Sequence, residues 1–231
     1  MRQVLALVPA YQAGHSIAEV VTALMQTAAF GAGVLVVDDG STDGTFEAAQ
    51  AAGAEVLRHG SNRGKGAALV TGLSHAHDSR IPMVVSMDAD GQHLAVEAAR
   101  LAQSEADPNA LVLGTRDLQA AGAPLPNRFS NAVSNAFLSL FTGLCLKDTQ
   151  CGLRRYPVAE TLALGARGQR FEFEAEVVLR AARRRIPIVQ VPVQVVYPQG
   201  TERQTHFDSV RDPWRIVWRV LQTLAEERRA P

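Results

Sequence analysis

Short apolar runs alternate with amphipathic segments through the first half of the chain. Val4–Val8 predicts a buried strand, and the apolar positions between Ile17 and Ala28 follow a helical period. The other strands predicted in this half are Gly33–Val37, Ala54–Leu57, Met83–Met87 and Ala110–Gly114. Each run is continuous and apolar, which is typical of strands whose two faces are both covered. The pattern therefore predicts an α/β fold with a mostly parallel central sheet flanked by helices.

The second half of the chain has a less regular pattern. A stripe of apolar residues at helical spacing predicts a helix packed on the core, although such a stripe could also border a binding groove. Its members are Phe129, Val133, Phe137, Phe141 and Leu144. A helix from about Glu172 to Arg184 follows, and Ile188–Val196 predicts a strand that Pro192 confines to a sheet edge.

The chain ends in a polar segment and an amphipathic helix. Residues 197–208 are polar, contain glycine and predict a loop. The helix runs from about Pro213 to Glu227 and places Trp218 and Leu221 beside several arginines. We expect its apolar face to pack on the domain, and contact with a membrane surface is the alternative.

Three polar clusters follow predicted strands, at Pro9–Tyr11, Asp38–Asp39 and Asp88–Gln92. Ligands of parallel sheets bind at the carboxyl ends of the strands, so we expect the clusters to converge on one crevice. The third cluster places two carboxylates, Asp88 and Asp90, one residue apart. Hard divalent cations such as Mg²⁺ or Mn²⁺ bind such oxygen ligands and share the site with substrate phosphates. An acidic turn that merely ends the strand is the alternative.

Length and composition narrow the class of protein. The 231 residues fit one large domain, or one domain with an added lobe, and carry no net charge, so nothing suggests a nucleic-acid partner. No apolar stretch approaches the ~20 residues of a membrane span, and Met1–Gln3 leads into a strand rather than a signal peptide. We expect a soluble, cytoplasmic protein. Cys145 and Cys151 have no zinc-motif spacing and are expected to be incidental thiols.

Seven short motifs occur in an order that is characteristic of one enzyme family and span nearly the whole chain. They are Val8–Tyr11, Val37–Thr45, Asn62–Gly66, Asp88–His93, Gly114–Arg116, Asp148–Arg154 and Thr205–Phe207. With them the chain resembles glycosyltransferase family 2, the inverting GT-A enzymes. It is most similar to the branch of dolichyl-phosphate mannosyltransferases and bacterial polyprenyl-phosphate glycosyltransferases.

The resemblance implies a single GT-A domain over residues 1–231. It implies a nucleotide-sugar-binding half at 1–115, an acceptor-side half at 116–210 and a C-terminal helix at 211–231. The implied activity is metal-dependent inverting transfer of a sugar from a UDP- or GDP-linked donor. The implied acceptor is a lipid phosphate or a hydrophobic hydroxyl compound, with peripheral membrane contact at the inner face as a further expectation.

The resemblance also implies which residues bind the nucleotide. Asp39 faces the base and ribose as an acceptor of N–H groups. Pro9 and Tyr11 form a platform beside the base, and Val37 gives a backbone contact there. Arg116 contacts the donor, where its guanidinium suits phosphate.

The metal site implied by the resemblance is the Asp88-Ala89-Asp90 motif with Gln92. Asp90 is expected to bind Mg²⁺ or Mn²⁺ directly and Gln92 to assist through its amide oxygen. Asp88 is expected to be shared between the ribose and the metal, and Ala89 to line the donor site between them. The cation would neutralise the diphosphate.

Asp148, Arg128 and His206 are the candidate catalytic residues. A transfer to a hydroxyl requires a general base, for which Asp148 is the candidate; with a phosphate acceptor no base is required, and Asp148 would orient the site. Arg128 is expected near the acceptor phosphate, unless it is a surface arginine. His206 is expected to close over the diphosphate or complete the metal shell, with a surface histidine as the alternative.

Several polar residues are assigned no direct chemistry. The glycines around Lys65 predict a tight turn into a helix rather than a phosphate loop. His59 is expected at the surface, and His93 is expected to support the metal loop. Glu172 and Glu174 are expected to be solvated, and the alternative is that one of them reaches a sugar hydroxyl.

Two departures from the family and two other classes of function stay open at this point. Gln12-Ala13 stands where the family often has an acidic nucleotide contact, so the base is undetermined, and the family's C-terminal membrane helices do not occur. The other classes are a nucleotidyltransferase and a non-catalytic nucleotide-sugar-binding subunit of a membrane complex. The absence of basic residues in Pro9–Gly14 counts against the first.

Overall fold

In the part of the chain that the computed structural model describes, residues 3–196 and 211–229, the central sheet has seven strands. They are β1 Val4–Ala10, β2 Val34–Asp38, β3 Glu55–Arg58, β4 Met83–Ser86, β5 Leu111–Arg116, β6 Arg154–Pro157 and β7 Ile188–Val193. The strand order is β3-β2-β1-β4-β6-β5-β7, and only β6 is antiparallel to its neighbours. The prediction of a mostly parallel sheet is confirmed, as is the edge position of the strand containing Pro192.

Helices cover both faces of this sheet. They are α1 Ile17–Met25, α2 Thr45–Ala51, α3 Lys65–Asp78, α4 Ala95–Ala102, α5 Leu125–Thr142, α6 Val158–Ala163, α7 Glu172–Arg183 and α8 Arg211–Arg229. Helices α1, α2 and α4 pack on one face, and α3, α5, α6, α7 and α8 pack on the other. Strand β1 joins the two cores, because Ala6 and Val8 point to the first face while Leu5 and Leu7 point to the second.

Strand β6 escapes a search for apolar runs because it begins with two arginines. Arg154 and Arg155 are fully buried in the structure. The Arg154 guanidinium donates to the backbone carbonyls of Thr149, Cys151 and Glu174. Arg155 donates to three other carbonyls, those of residues 104, 106 and 107. Each charge is therefore solvated by backbone dipoles, which permits its burial.

Helix α5 contradicts the prediction that its apolar stripe packs on the core. Phe129 is 74% exposed, Val133 45% and Leu144 39%, and the neighbouring Leu140 is 76% exposed. Only the middle of the stripe is partly buried, where Phe137 and Phe141 meet edge to face with their ring centroids 4.9 Å apart. The core-facing residues of α5 are instead led by Leu138. Most of the stripe is thus an apolar surface.

Helix α8 packs on the same core as α5 and α7. Ile216 and Val220 are buried, as the prediction of a packed apolar face requires, while Trp218 and Leu221 remain exposed. The Arg219 guanidinium donates to both carboxylate oxygens of Glu176 on α7, at 2.7 and 2.8 Å. Of the helices in the described residues, none combines the length and apolar character that a bilayer crossing requires.

Candidate active site

A cavity of about 280 Å³ lies at the carboxyl ends of β1, β2, β4 and β5. Its position is the switch point of the sheet, because the chain continues from β1 towards β2 on one side and returns to β4 on the other. Residues from all three predicted clusters line it, and so does Arg116; the cluster residues are Pro9, Tyr11, Asp39, Asp88, Ala89, Asp90 and Gln92. The predicted convergence on one crevice is confirmed.

The loops after β1 and β2 are tied together by Gln12. Its backbone N–H donates to the Ser41 hydroxyl at 2.9 Å, and its side chain bonds both the hydroxyl and the N–H of Thr42. Asp38 serves the same turn: it accepts the N–H of Ser41 at 2.9 Å and pairs with Arg58. Asp38 therefore stabilises the turn after β2.

The Asp39 carboxylate is held by three donors. Its Oδ1 accepts from His59 Nδ1 at 2.6 Å and from the backbone N–H of Arg63 at 2.9 Å. Its Oδ2 accepts the N–H of Gly64 at 2.7 Å. The expectation that His59 lies at the surface is wrong: the ring is buried against Asp39 and also bonds the Thr71 hydroxyl. No sequence pattern links residues 39 and 59. They meet because they follow the paired strands β2 and β3, which end side by side in the sheet.

Lys65 bridges two carboxylates at the base of the cavity. Its Nζ lies 2.7 Å from Asp88 Oδ1 and 3.1 Å from Glu174 Oε2. Glu174 is buried, so the expectation that it is solvated is wrong, while Glu172 is half-buried and accepts two loop N–H groups. A lysine as the first residue of a helix opposes the helix dipole, and that is the signal by which the sequence could have pointed to it.

Electrostatics keep this cluster charged. Burial alone would raise the pKa of Asp88, but Lys65, His93 and Arg116 outweigh it and lower that pKa to about 2. Burial alone would lower the pKa of Lys65, but Asp88 and Glu174 outweigh it, so the pKa lies above its usual value. Burial holds the pKa of His93 at about 4, and its ring is neutral at pH 7.

Asp90 differs from Asp88 in its surroundings. It opens onto the cavity, and its one described hydrogen bond is from the N–H of Gln92 at 3.0 Å. Burial is the larger of two effects that raise the pKa of Asp90, and the neighbouring charge of Asp88 is the smaller. Two carboxylates so close, of which only Asp88 has a lysine partner, leave negative charge at the wall of the cavity.

Two glycines allow the loops to close around the acidic pair. A Cβ at Gly152 would collide with the carboxylate of Asp88. Gly64 has φ +101°, and a Cβ there would lie 2.5 Å from the carbonyl oxygen of Gln169. Both contacts are possible only without a side chain, and the second brings the loop carrying Arg170 and Phe171 to the cavity. The predicted turn at Asn62–Gly66 is confirmed.

Arg116 and Asp148 form the other charged pair of the site. Asp148 Oδ2 accepts from Arg116 Nε at 2.7 Å, and Oδ1 accepts from Nη2 at 3.0 Å. The backbone N–H groups of Arg116 and Gln150 also donate to this carboxylate. Asp148 is fully buried and does not line the cavity, whereas Arg116 does. In this geometry the Asp148 carboxylate holds Arg116 and does not face the cavity.

The remaining predicted residues are dispersed. Val37 has a fully buried side chain on β2, between β1 and β3, and does not line the cavity; its expected backbone contact with the nucleotide stays a prediction. The Arg128 guanidinium bonds Gln119, although the adjacent Asn127 lines the cavity. The backbone of His93 forms an isolated antiparallel bridge with Val195, directly after the Asp88–Gln92 segment. His206 lies outside the described residues.

The donor set fits a hard divalent cation with few protein ligands. Asp90 presents its carboxylate to the cavity, and Gln92 lines the cavity beside it. In the described residues no group of three or more Asp, Glu, His or Cys side chains is placed to hold a metal ion. Mg²⁺ and Mn²⁺ are commonly held by one or two carboxylates, with waters and substrate phosphates completing the shell.

A model of the family described as Glycosyl transferase family 2 matches residues 6–154, which is more than half of the chain. The chain belongs to glycosyltransferase family 2. It is therefore an enzyme that transfers sugars, and neither the nucleotidyltransferase nor the non-catalytic subunit is supported.

Curated relatives of this family 2 glycosyltransferase include enzymes that are named for lipid phosphates. It is 30% identical to undecaprenyl-phosphate mannosyltransferase of Micrococcus luteus, over 71% of each chain. It is 26% identical to the UDP-N-acetylglucosamine–dolichyl-phosphate N-acetylglucosaminyltransferase of Methanococcus voltae, over 81% of this chain and 83% of that one. The predicted branch of the family is confirmed.

Solved structures support the fold of this glycosyltransferase. Glucosyl-3-phosphoglycerate synthase of Mycobacterium tuberculosis, crystallised with Mn²⁺, UDP-glucose and phosphoglyceric acid, superposes with a TM-score of 0.71. The match covers 97% of this chain and 80% of that one at 18% identity. The GT-A fold expected from the motifs is therefore confirmed.

Proposed function

We propose that this enzyme transfers a sugar, with inversion, from a nucleoside diphosphate donor to a polyprenyl phosphate. The convergence of Asp39, Asp90 and Arg116 in one cavity carries the proposal. The three side chains supply the chemistry that a base, a metal-bound diphosphate and a phosphate oxygen require. The cavity also continues to Asn127 on α5 and Ile216 on α8, where a second substrate could approach.

The acceptor is proposed from the relatives and from the site. Relatives in two organisms are named for undecaprenyl phosphate and dolichyl phosphate. A phosphate monoester is already an anion, so its oxygen can attack the sugar carbon without a protein base. The C–O bond to the β-phosphate breaks as the new C–O bond forms, and its electron pair leaves with the nucleoside diphosphate. The burial of Asp148 behind Arg116 is consistent with this chemistry.

The metal is proposed to bind at Asp90 and Gln92, with Asp88 beside them. When bound, the cation would neutralise the diphosphate and stabilise the departing nucleotide. A structural neighbour was crystallised with Mn²⁺ and UDP-glucose, which supports the choice of cation. Lys65 holds the Asp88 carboxylate, so Asp90 has the more open oxygens of the two.

Helices α5 and α8 are proposed to contact the membrane that contains the acceptor. Between Leu125 and Thr142, α5 has one charged residue, Arg128, and no acidic one, while Phe129 and Leu140 are largely exposed. An apolar helix face with basic and no acidic groups suits an anionic lipid surface. Its first turn contributes Asn127 to the cavity, so a lipid phosphate could enter from that end.

A transfer assay with Asp90→Asn tests the proposal. Polyprenyl phosphate in detergent is incubated with a panel of UDP- and GDP-sugars and Mn²⁺ or Mg²⁺, and the product is detected by mass. We expect transfer by the unmodified enzyme that a chelator abolishes, and a loss of at least about 100-fold in Asp90→Asn, the scale of losing one electrostatic stabiliser. Asp78→Asn, an exposed aspartate at the end of α3, is the control and should retain activity. Full activity of Asp90→Asn, or no product from any donor, would refute the proposal.

A further inference from the structure

Within residues 3–196 and 211–229, three donors contact the Asp39 carboxylate, which leaves one acceptor position for a ligand. A carboxylate offers about four lone-pair positions, two on each oxygen. His59 Nδ1 and the N–H of Arg63 occupy both positions of Oδ1, and the N–H of Gly64 occupies one position of Oδ2. The remaining position is on Oδ2, and Asp39 lines the cavity.

The fold fixes the donors that fill the other positions. Two are backbone N–H groups in the turn that leads into α3, and they cannot rotate away. The third is the His59 ring, whose Nε2 lies 2.9 Å from the Thr71 hydroxyl on the same helix. Because a carboxylate only accepts, His59 Nδ1 carries the hydrogen of their bond. The number of free positions on Asp39 therefore does not depend on a movable side chain.

Nucleobases differ in the number of N–H groups that they present to a carboxylate. Uracil and thymine have one imide N–H between two carbonyl oxygens. Guanine presents two adjacent N–H donors, which pair with both oxygens of a free carboxylate. Adenine and cytosine place an amino group beside a ring nitrogen whose lone pair would face the carboxylate. A buried N–H left without an acceptor costs about tenfold or more in affinity.

We propose that Asp39 selects a donor with an imide edge, carrying uracil or thymine, and that His59 is the positioning residue which limits Asp39 to a single N–H. This inference rests on the proposed function, in which Asp39 faces the base. Asn62 lines the same cavity, and its side-chain amide can donate to a carbonyl that flanks the imide. Gln12-Ala13 stands where the family often has an acidic nucleotide contact, so the motifs leave the base undetermined. The single free acceptor position on Asp39 is what selects the base in this proposal.

Isothermal titration of the unmodified protein tests the selection. UDP, dTDP, GDP, CDP and ADP are compared at the same Mn²⁺ concentration. We expect UDP or dTDP to bind at least about tenfold more tightly than the other three. The UDP and dTDP arms distinguish the two imide bases through the ribose 2′-hydroxyl and the methyl group. If GDP, CDP or ADP binds as tightly as UDP and dTDP do, the inference is overturned and the proposed function still stands. If no nucleotide binds, the result counts against the proposed function itself.

The part played by His59 is tested through the ratio of affinities. His59→Phe removes one donor from Oδ1, and we expect the preference for UDP over GDP to narrow several-fold. His59→Asn can place an amide N–H near the position of Nδ1 and should restore the preference. A purely structural role would weaken both nucleotides alike, so an unchanged ratio in His59→Phe would overturn the assignment. If His59→Phe does not fold, Thr71→Val removes the hydroxyl that holds the His59 ring. The ratio of UDP affinity to GDP affinity is then measured in that variant.

Discussion

The donor side and the acceptor side of the cavity are built by opposite means. On the donor side Asp39 and Asp148 are buried, and each accepts three or more hydrogen bonds from fixed groups. On the acceptor side Phe129 and Leu140 of α5 are more than 70% exposed. Hydrogen bonds are directional, whereas apolar contact is not. Under the proposed function, this difference predicts strict recognition of a small polar donor and tolerant recognition of a long apolar acceptor.

The largest effect that would sharpen this contrast is expected at Asp148. Asp148→Asn keeps the shape but removes the charge that holds the Arg116 guanidinium, so the donor phosphates lose their preorganised partner. We expect nucleotide affinity to fall together with transfer, and transfer by about 100-fold. Nucleotide titration and a pH–rate profile measure the two effects.

A general base would behave differently in the same experiment. Loss of a base would leave nucleotide affinity intact and remove one limb of the pH–rate profile. Asp107→Asn, in the loop before β5, is the matched control. Intact affinity with an altered profile would return Asp148 to the role of base.

A smaller effect is expected at Glu176, which joins α7 to α8 on the acceptor side. Burial alone would raise the pKa of Glu176, but Arg219, Arg180 and two backbone N–H groups outweigh it and lower it. Because the folded pKa is depressed, the stabilisation is fully present above the ordinary value of 4.5 and is lost as the pH falls through the folded pKa. We expect Glu176→Gln to cost about 2 kcal/mol of unfolding free energy at pH 7.

Denaturant unfolding from pH 7 to pH 3 checks this value. The difference between the variant and the unmodified protein should begin to shrink below about pH 4.5, where the unfolded chain takes up a proton. It should be lost once the pH falls below the folded pKa, where both proteins carry a neutral side chain. Glu160→Gln on α6 provides the comparison with a glutamate that has no described ion pair. A difference that is constant with pH would show that the charge of Glu176 does not stabilise the fold.

The smallest effect is expected on α5. Phe129→Ser with Leu140→Ser removes apolar area that has no packing role, so stability and nucleotide affinity should not change. Binding to vesicles with anionic lipid should fall about fivefold to tenfold, on the basis of the buried area lost. Vesicle co-sedimentation measures it, with Val96→Ser on the opposite face of the sheet as the control. Unchanged vesicle binding would show that α5 does not contact the membrane. It would also contradict the proposed difference between the donor side and the acceptor side.

The strands and the crevice were predictable because both follow from periodicity. Buried parallel strands are continuous apolar runs, and their carboxyl ends share one edge of the sheet. Tyr11, Asp39 and Asp90 therefore met as expected. The partners of those residues were not predictable, since His59 and Glu174 reach the site through tertiary packing alone.

The errors on the acceptor side have a physical cause of their own. A helical apolar stripe has the same sequence period whether it faces a core or a lipid. Helix α5 presents Leu138 to the core and Phe129 to the outside, and only the fold decides which. The sequence left two roles open for Asp148 because a carboxylate in a functional motif can either react or hold a reacting neighbour.

Strand β6 has a geometric consequence for the width of the site. A parallel strand at this place would deliver its incoming loop to the far edge of the sheet. Because β6 runs backwards, it starts where β4 and β5 end, and the preceding loop brings Thr149 and Gln150 to the cavity floor. It also keeps β4 and β5 two strand spacings apart, or about 10 Å. The presence of β6 therefore sets the distance between the acidic motif and Arg116, and its reversed direction places the preceding loop between them.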